Sequence, residues 1–258
     1  MRVTTLIEIM DAAHLSRFVE NPFQRRGGIL LVGPPGVMKT TLINCALGDY
    51  HDALCLSDIN VQQLMVVKDD ISSGRFHTLA FYALEKLYQR HSSTSANVEG
   101  CIQAMAEEGF TEPSFNDQRR PSLIARCLVV GGITDSLHRR KYTEWMSSGF
   151  ARRFLHCHYR LEDHSILMDA IEKWEPLIMQ SISRKWPANK IIPHGKLATE
   201  DLRMIRHSLR FQPGDTSPFQ LCIRIFCVLK WKYGTKKAQD IYIDFAQCLG
   251  QHGAVLEI

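Results

Sequence analysis

The segment Gly33-Pro34-Pro35-Gly36-Val37-Met38-Lys39-Thr40-Thr41 constrains the fold more than any other stretch of this sequence. It follows Ile29 to Val32, a continuous apolar run of the kind that forms a buried parallel strand. It precedes Lys39 to Leu47, which reads as a helix stopped by Gly48. A glycine-rich turn between a buried strand and a helix start is a phosphate cradle. Gly33 and Gly36 let the backbone curl so that its N–H groups point inward, and the helix N-terminus adds partial positive charge. Lys39 is placed to reach the β- and γ-phosphates of a nucleotide, and the Thr40 hydroxyl to hold Mg²⁺. Residues Gly33 to Thr41 are therefore the expected ATP–Mg²⁺ site. One position departs from the pattern G-x-x-x-x-G-K-[ST]: Met38 stands where glycine is usual.

The rest of the chain supplies the frame such a loop needs. Further short strands are expected at Ala53 to Leu56, His77 to Tyr82, Cys127 to Gly131 and Phe154 to Tyr159. Helices are expected between them at Val61 to Ile71, Ala83 to Arg90, Asn97 to Glu108 and Asp135 to Met146, and 111–121 reads as loop or hairpin. Strands that alternate with helices predict a parallel sheet with crossover helices, an α/β fold in three layers. After Leu161 the character changes: Glu162 to Trp186 and most of 199–249 read as helix. This predicts an α/β core over 1–163, begun by an N-terminal helix, and a helical lid over 164–258.

Composition excludes several classes. No run of about 18 apolar residues is present to span a membrane, and the first residues carry Asp11 and Glu8 among their apolar neighbours, unlike a signal peptide. A cytoplasmic protein with reduced thiols is expected, since the eight cysteines include no CxxC pair. His156-Cys157-His158 invites a metal reading, but side chains alternate across a strand, so Cys157 faces away from both histidines and no metal site is expected there. The net charge of +4 permits nucleic-acid binding without demanding it.

A phosphate loop with a non-glycine residue before its lysine resembles that of the minichromosome-maintenance helicases, which are AAA+ proteins. The resemblance continues downstream in order. Leu84-Glu85-Lys86-Leu87 is similar to the tail of their Walker B segment, and Val98 to Met105 and Gly109 to the helix and turn that follow. Ala125 to Thr134 resembles their sensor-1 strand, and Phe150-Ala151-Arg152-Arg153-Phe154 the segment that ends in their arginine finger. The match covers roughly residues 28–163. It implies a P-loop NTPase sheet with the loop-bearing strand in the middle, flanked by the sensor-1 strand and then the Walker B strand. It also implies a small helical lid, nucleotide between subunits of a ring or filament, DNA as a partner, and a replication or recombination protein as a further one.

The same resemblance exposes a gap. Aligned on Lys86, the two Walker B acids fall on Tyr82 and Ala83, which can neither polarise water nor bind a hard cation through a carboxylate. Glu85 is the expected substitute acid. Asp58, at the end of the second strand, is the candidate carboxylate for the metal beside Thr40, with Asp69 and Asp70 as weaker ones. Thr134 takes the sensor-1 position, or alternatively caps the next helix. Arg153, with Arg152 as alternate, is implied as the arginine that completes a neighbour's site. Arg224, lone in the apolar run Phe219 to Ile223, is implied as the lid arginine, with Arg210 second. Three readings follow: an ATPase motor acting on DNA, an ATP-dependent assembly switch with weak hydrolysis, and, least supported, a small-molecule kinase.

Overall fold

A strand covered on both faces must be apolar throughout, and Gly28–Gly33 (β1) is: Ile29, Leu30, Leu31 and Val32 are all enclosed. The computed structural model describes residues 3–19, 26–109, 124–161, 192, 197–209, 216–249 and 254–256. Within them the helices are α1 (Val3–Leu15), α2 (Lys39–Leu47), α3 (Val61–Ser72), α4 (Ser92–Ala106), α5 (Asp135–Ser148), α6 (Thr199–Ser208), α7 (Thr216–Tyr233) and α8 (Thr235–Ala246). The other strands are β2 (Ala53–Leu56), β3 (Thr78–Phe81), β4 (Leu128–Thr134), β5 (Phe154–Leu161) and β6 (Ala254–Leu256). Short 3-10 helices cover Ser16–Phe18, Leu84–Gln89, Ala151–Arg153 and Gln247–Leu249.

The strands form one sheet in the order β2-β3-β4-β1-β5-β6, parallel throughout. β1 lies inside, next to the strand that ends in Thr134, with β3 one place further out. Register puts Gly33 opposite Thr134, Val32 opposite His158, and Gly28 opposite Phe154. The C-terminal ends of β1, β4 and β5 thus share one edge, and the segment around Arg153 lies at the other.

Alternation along β1 divides the core. Ile29 and Leu31 join α1, α2 and α7 on one face, whereas Leu30 and Val32 join α3, α4 and α5 on the other. The molecule is an α/β protein with helices on both faces of the sheet. The described residues before and after 163–164 share one core. Leu221, Ile225 and Phe226 of α7 and Tyr242 and Phe245 of α8 share one core with α1, β1 and α2. The described C-terminal helices are therefore part of the back layer.

Three expected elements differ in kind or extent. Ala83 to Arg90 holds a 3-10 helix and not an α-helix. α4 starts at Ser92, five residues earlier than expected, and the Ser95 hydroxyl of its first turn donates to the carbonyls of Leu87 and His91 at 2.8 and 3.2 Å. β4 runs on to Thr134, since Gly132 and Ile133 keep pairing with Leu31 and Val32. The helix expected at Glu162 to Trp186, the loop at 111–121 and Arg210 lie outside the described residues.

α1 is enclosed along nearly its whole length, charged residues included. Its acids are paired with α7: the Lys232 ammonium donates to Glu8 Oε2 at 2.9 Å and to Asp11 Oδ2 at 2.8 Å. The hydroxyl of Tyr50 donates to Asp11, and that of Tyr233 to Glu8. Every carboxylate oxygen of the pair thus has a partner, as a buried charge requires.

Candidate nucleotide site

The loop between β1 and α2 is built by close approach. A Cβ added to Gly33 would lie 2.8 Å from the Tyr159 carbonyl and 3.0 Å from Val37 Cγ2, so only glycine fits there. Gly36 has φ +81°, in the left-handed region. Val37 is buried beneath the loop, and its carbonyl accepts from the Tyr159 hydroxyl at 3.0 Å. This pins the loop to β5.

Met38 also lies in the left-handed region, at φ 57° and ψ 24°, and is the one non-glycine residue with positive φ among the described residues. The usual glycine at this position meets a conformational demand, and Met38 meets it under strain of roughly 1–2 kcal/mol. Relief of that strain is partly offset by the greater freedom of glycine in the unfolded chain. A Met38→Gly variant is therefore expected to gain about 0.5–1 kcal/mol of stability. Urea denaturation reads this directly; an unchanged or lower midpoint contradicts the strain.

Lys39 is buried and folded onto the loop. Its ammonium donates to the carbonyls of Gly33 at 3.0 Å and Pro34 at 2.8 Å. Burial pulls its pKa down, and the carboxylates of Glu85 and Asp135 act in the opposite sense. Thr40 stands exposed at the helix start, with Thr41 behind it and Pro34 and Pro35 forming the rim.

Glu85 comes from the 3-10 helix after β3. Its Oε2 is buried without a hydrogen-bond partner, a costly state for a carboxylate unless a cation or water meets it. Asp135 was not singled out in the sequence. It starts α5, directly after Thr134, and its charge reaches Lys39 as well as His158. An acid following the sensor-1 position was the available signal. Tyr82 and Ala83 hold the expected acid positions: Tyr82 donates its hydroxyl to Asn44 Oδ1 at 3.1 Å and packs over α2. Thr134 accepts from Leu137 N–H at 3.4 Å and so caps α5, while its backbone stays opposite Gly33. The capping reading of this residue is thus seen.

Three expected site residues are engaged elsewhere. Asp58 pairs with Arg90 at 2.6 Å and accepts from Ile59 N–H at 2.8 Å, so it serves the outer edge of the sheet and not the loop. Arg224 donates to the Arg26 carbonyl at 2.7 Å, at the start of β1 and so at the opposite edge from the phosphate loop. Burial holds its guanidinium down at about 9, with Arg26 adding to the effect. A lone arginine in an apolar helix here satisfies a backbone group. Arg153 is tied to Glu107 at 2.6 Å, and Glu107 in turn accepts from Ser217 of α7 at 2.9 Å. Arg153 also donates to the Gly149 carbonyl. Arg152 is exposed, with a 3.4 Å bond to the Met146 carbonyl. The carboxylates Asp69 and Asp70 lie on α3; Asp70 pairs with Arg75 at 3.2 Å and Asp69 with Lys68 at 3.4 Å.

Comparison with known protein families finds no matching family, and comparison with curated proteins finds no matching sequence. No helix among the described residues is long and apolar enough to cross a membrane.

Proposed function

We propose that this chain is an ATP-binding protein of the AAA+ kind, which assembles with nucleotide and hydrolyses it slowly. The observation that carries this reading is the loop Gly33 to Thr41, with Lys39 folded onto its carbonyls and Glu85 and Asp135 acting on the ammonium. The strand order supports it: β1 inside, the Thr134 strand beside it and β3 beyond is the order that the resemblance implies. The residues present suit ATP–Mg²⁺. Gly33 and Gly36 permit the tight turn of the loop, Lys39 supplies a cation, Thr40 an exposed hydroxyl, and Glu85 a buried carboxylate oxygen in need of a partner. A bound Mg²⁺ would supply charge neutralisation at the transferring phosphoryl group, with Lys39 beside it.

Slow turnover follows from Tyr82 and Ala83. The chain's own means of positioning a water are Glu85 and Asp135, both placed differently from the family's acids. Of the two competing readings, this favours an assembly switch over a fast motor. A head-to-tail contact is the assembly that brings the Arg152–Arg153 end of one subunit to the loop edge of the next, and such contacts close into rings or extend as filaments. Arg152, exposed, presents its guanidinium to a neighbour, whereas Arg153 would first have to leave Glu107. DNA and a replication or recombination protein as partners rest on the resemblance.

The test joins turnover to assembly. The parent is expected to sediment as a larger species with a non-hydrolysable ATP analogue than without it, and to hydrolyse ATP slowly. Glu85→Gln is expected to reduce that turnover at least about tenfold while nucleotide affinity stays within about threefold. A parent that stays monomeric at saturating analogue removes the switch, and an unaltered rate in Glu85→Gln removes Glu85.

A further inference from the structure

α5 and β5 bring together three imidazoles that the nucleotide reading does not use. His156 and His158 alternate with Cys157 along β5, so both face the α5 side of the sheet while Cys157 faces α7. α5 adds His138 from its first turn, a contribution that the sequence trio could not reveal. One ring nitrogen from each of the three lies within 4.8 Å of the other two. The rings stand edge-on, with the centroid of His138 4.9 Å from those of both His156 and His158.

Hydrogen bonding turns the His156 lone pair inward, where it accepts from His138 Nε2, whose proton a bound ion would displace. The Ala151 carbonyl can only accept, so the bond at 3.0 Å places the proton of His156 on Nε2. In the neutral ring Nδ1 is then the lone-pair nitrogen, and it faces His138 Nε2 at 2.7 Å. A backbone carbonyl that fixes a histidine tautomer from outside is the usual outer support of a metal ligand. His138 and His156 are enclosed beside Trp145 and Tyr142, where apolar side chains would fill the space without any polar nitrogen to satisfy.

We propose that His138, His156 and His158 form a binding site for a borderline divalent transition-metal ion, with Zn²⁺ the best match. Three imidazoles leave the fourth tetrahedral position to water. Zinc-bound nitrogens lie about 3.3 Å apart, so the His138–His156 contact must open by roughly 0.6 Å, a change within side-chain adjustment. The ion would tie the first turn of α5 to β5 and thereby hold Thr134 and Asp135 in place. The site is independent of whether the chain binds ATP.

The full chain, freed of metal by chelator dialysis, is titrated with Zn²⁺ alone in a calorimeter and with Co²⁺ alone under visible absorption. The expected result is one Zn²⁺ per chain and the intense visible bands of tetrahedral Co²⁺. His158→Gln, which changes the half-buried ring, is expected to weaken Zn²⁺ binding at least about 100-fold, and His138→Gln likewise. Exposed His91 serves as control, and His91→Gln should leave affinity unchanged. A parent that takes up no Zn²⁺ at a several-fold excess overturns the proposal, whatever the variants do. So does a His138→Gln/His158→Gln double variant that binds as the parent does.

Discussion

A Lys39→Ala variant is expected to bind ATP at least about 100-fold more weakly than the parent while remaining folded. Lys39 begins α2, where alanine is a better helix former than lysine, so the substitution does not threaten the helix. The ammonium now donates to the carbonyls of Gly33 and Pro34, both of which belong to the loop itself. Phosphate oxygens are stronger acceptors than peptide carbonyls, and a bound nucleotide would draw the ammonium from one to the other. Loss of a charge-assisted contact of this kind costs about 3 kcal/mol, which is the stated factor of about 100. Removal of the cation also leaves Glu85 and Asp135 facing the phosphates with no positive charge between them. Calorimetry on both proteins, with circular dichroism to check the fold, reads the result. An unchanged affinity would mean that the loop is a structural turn and that the nucleotide reading is wrong.

A second large effect is expected far from the loop. Lys232→Met should destabilise the protein by about 3–5 kcal/mol, since it leaves two buried carboxylates without their cation. Lys232 is fully enclosed, and its two partners sit on α1, more than two hundred residues away in sequence. Burial alone would lower the lysine pKa. Asp11 and Glu8 outweigh that effect and raise it above the ordinary value. A raised lysine stabilises the fold fully below its ordinary pKa and loses that stabilisation as pH climbs through the folded value, so the ion group is intact at neutral pH. The melting temperature should fall by roughly 10 °C. Replacing all three charges together, with Glu8→Gln, Asp11→Asn and Lys232→Met, should recover a large part of the loss, because no uncompensated charge then remains. If the single variant melts within a degree or two of the parent, the three side chains are better hydrated than their enclosure indicates.

The strand–loop–helix at Gly33 to Thr41 is legible because its signal is local: an apolar strand, two glycines, a lysine and a hydroxyl, all close together. The anomaly at Met38 was legible too, though its meaning needed a dihedral angle. What pairs residues across the fold was not legible. Arg153 and Glu107 are well separated in sequence, as are Arg224 and Arg26, so neither partnership leaves a mark on the local pattern. Both arginines were assigned by position in a resembling motif, and both turned out to satisfy groups of their own chain. The histidines repeat the lesson in the opposite sense. Alternation along β5 was read correctly, but the third ring comes from α5, and only the packing of a helix on a strand reveals it. Asp58 was chosen for its place at a strand end; β2 is the outermost strand on its side, and its end lies away from β1.

The enclosure of α1 has a temporal consequence. α1 is the first described element to leave the ribosome, yet the residues that neutralise its acids and cover its apolar surface belong to α7 and α8, among the last. Until those arrive, α1 must wait with part of its apolar surface and both acids uncovered, held only against β1 and α2. Contacts of such long sequence separation slow the final closure and leave greasy surface open to neighbouring nascent chains. The opposite face of the sheet, covered by α3, α4 and α5, is by contrast complete once β5 has emerged. Synthesis therefore completes that face early and the face that carries α1 and α2 late, which makes the closing of α7 over α1 the step at which a chaperone has most to protect.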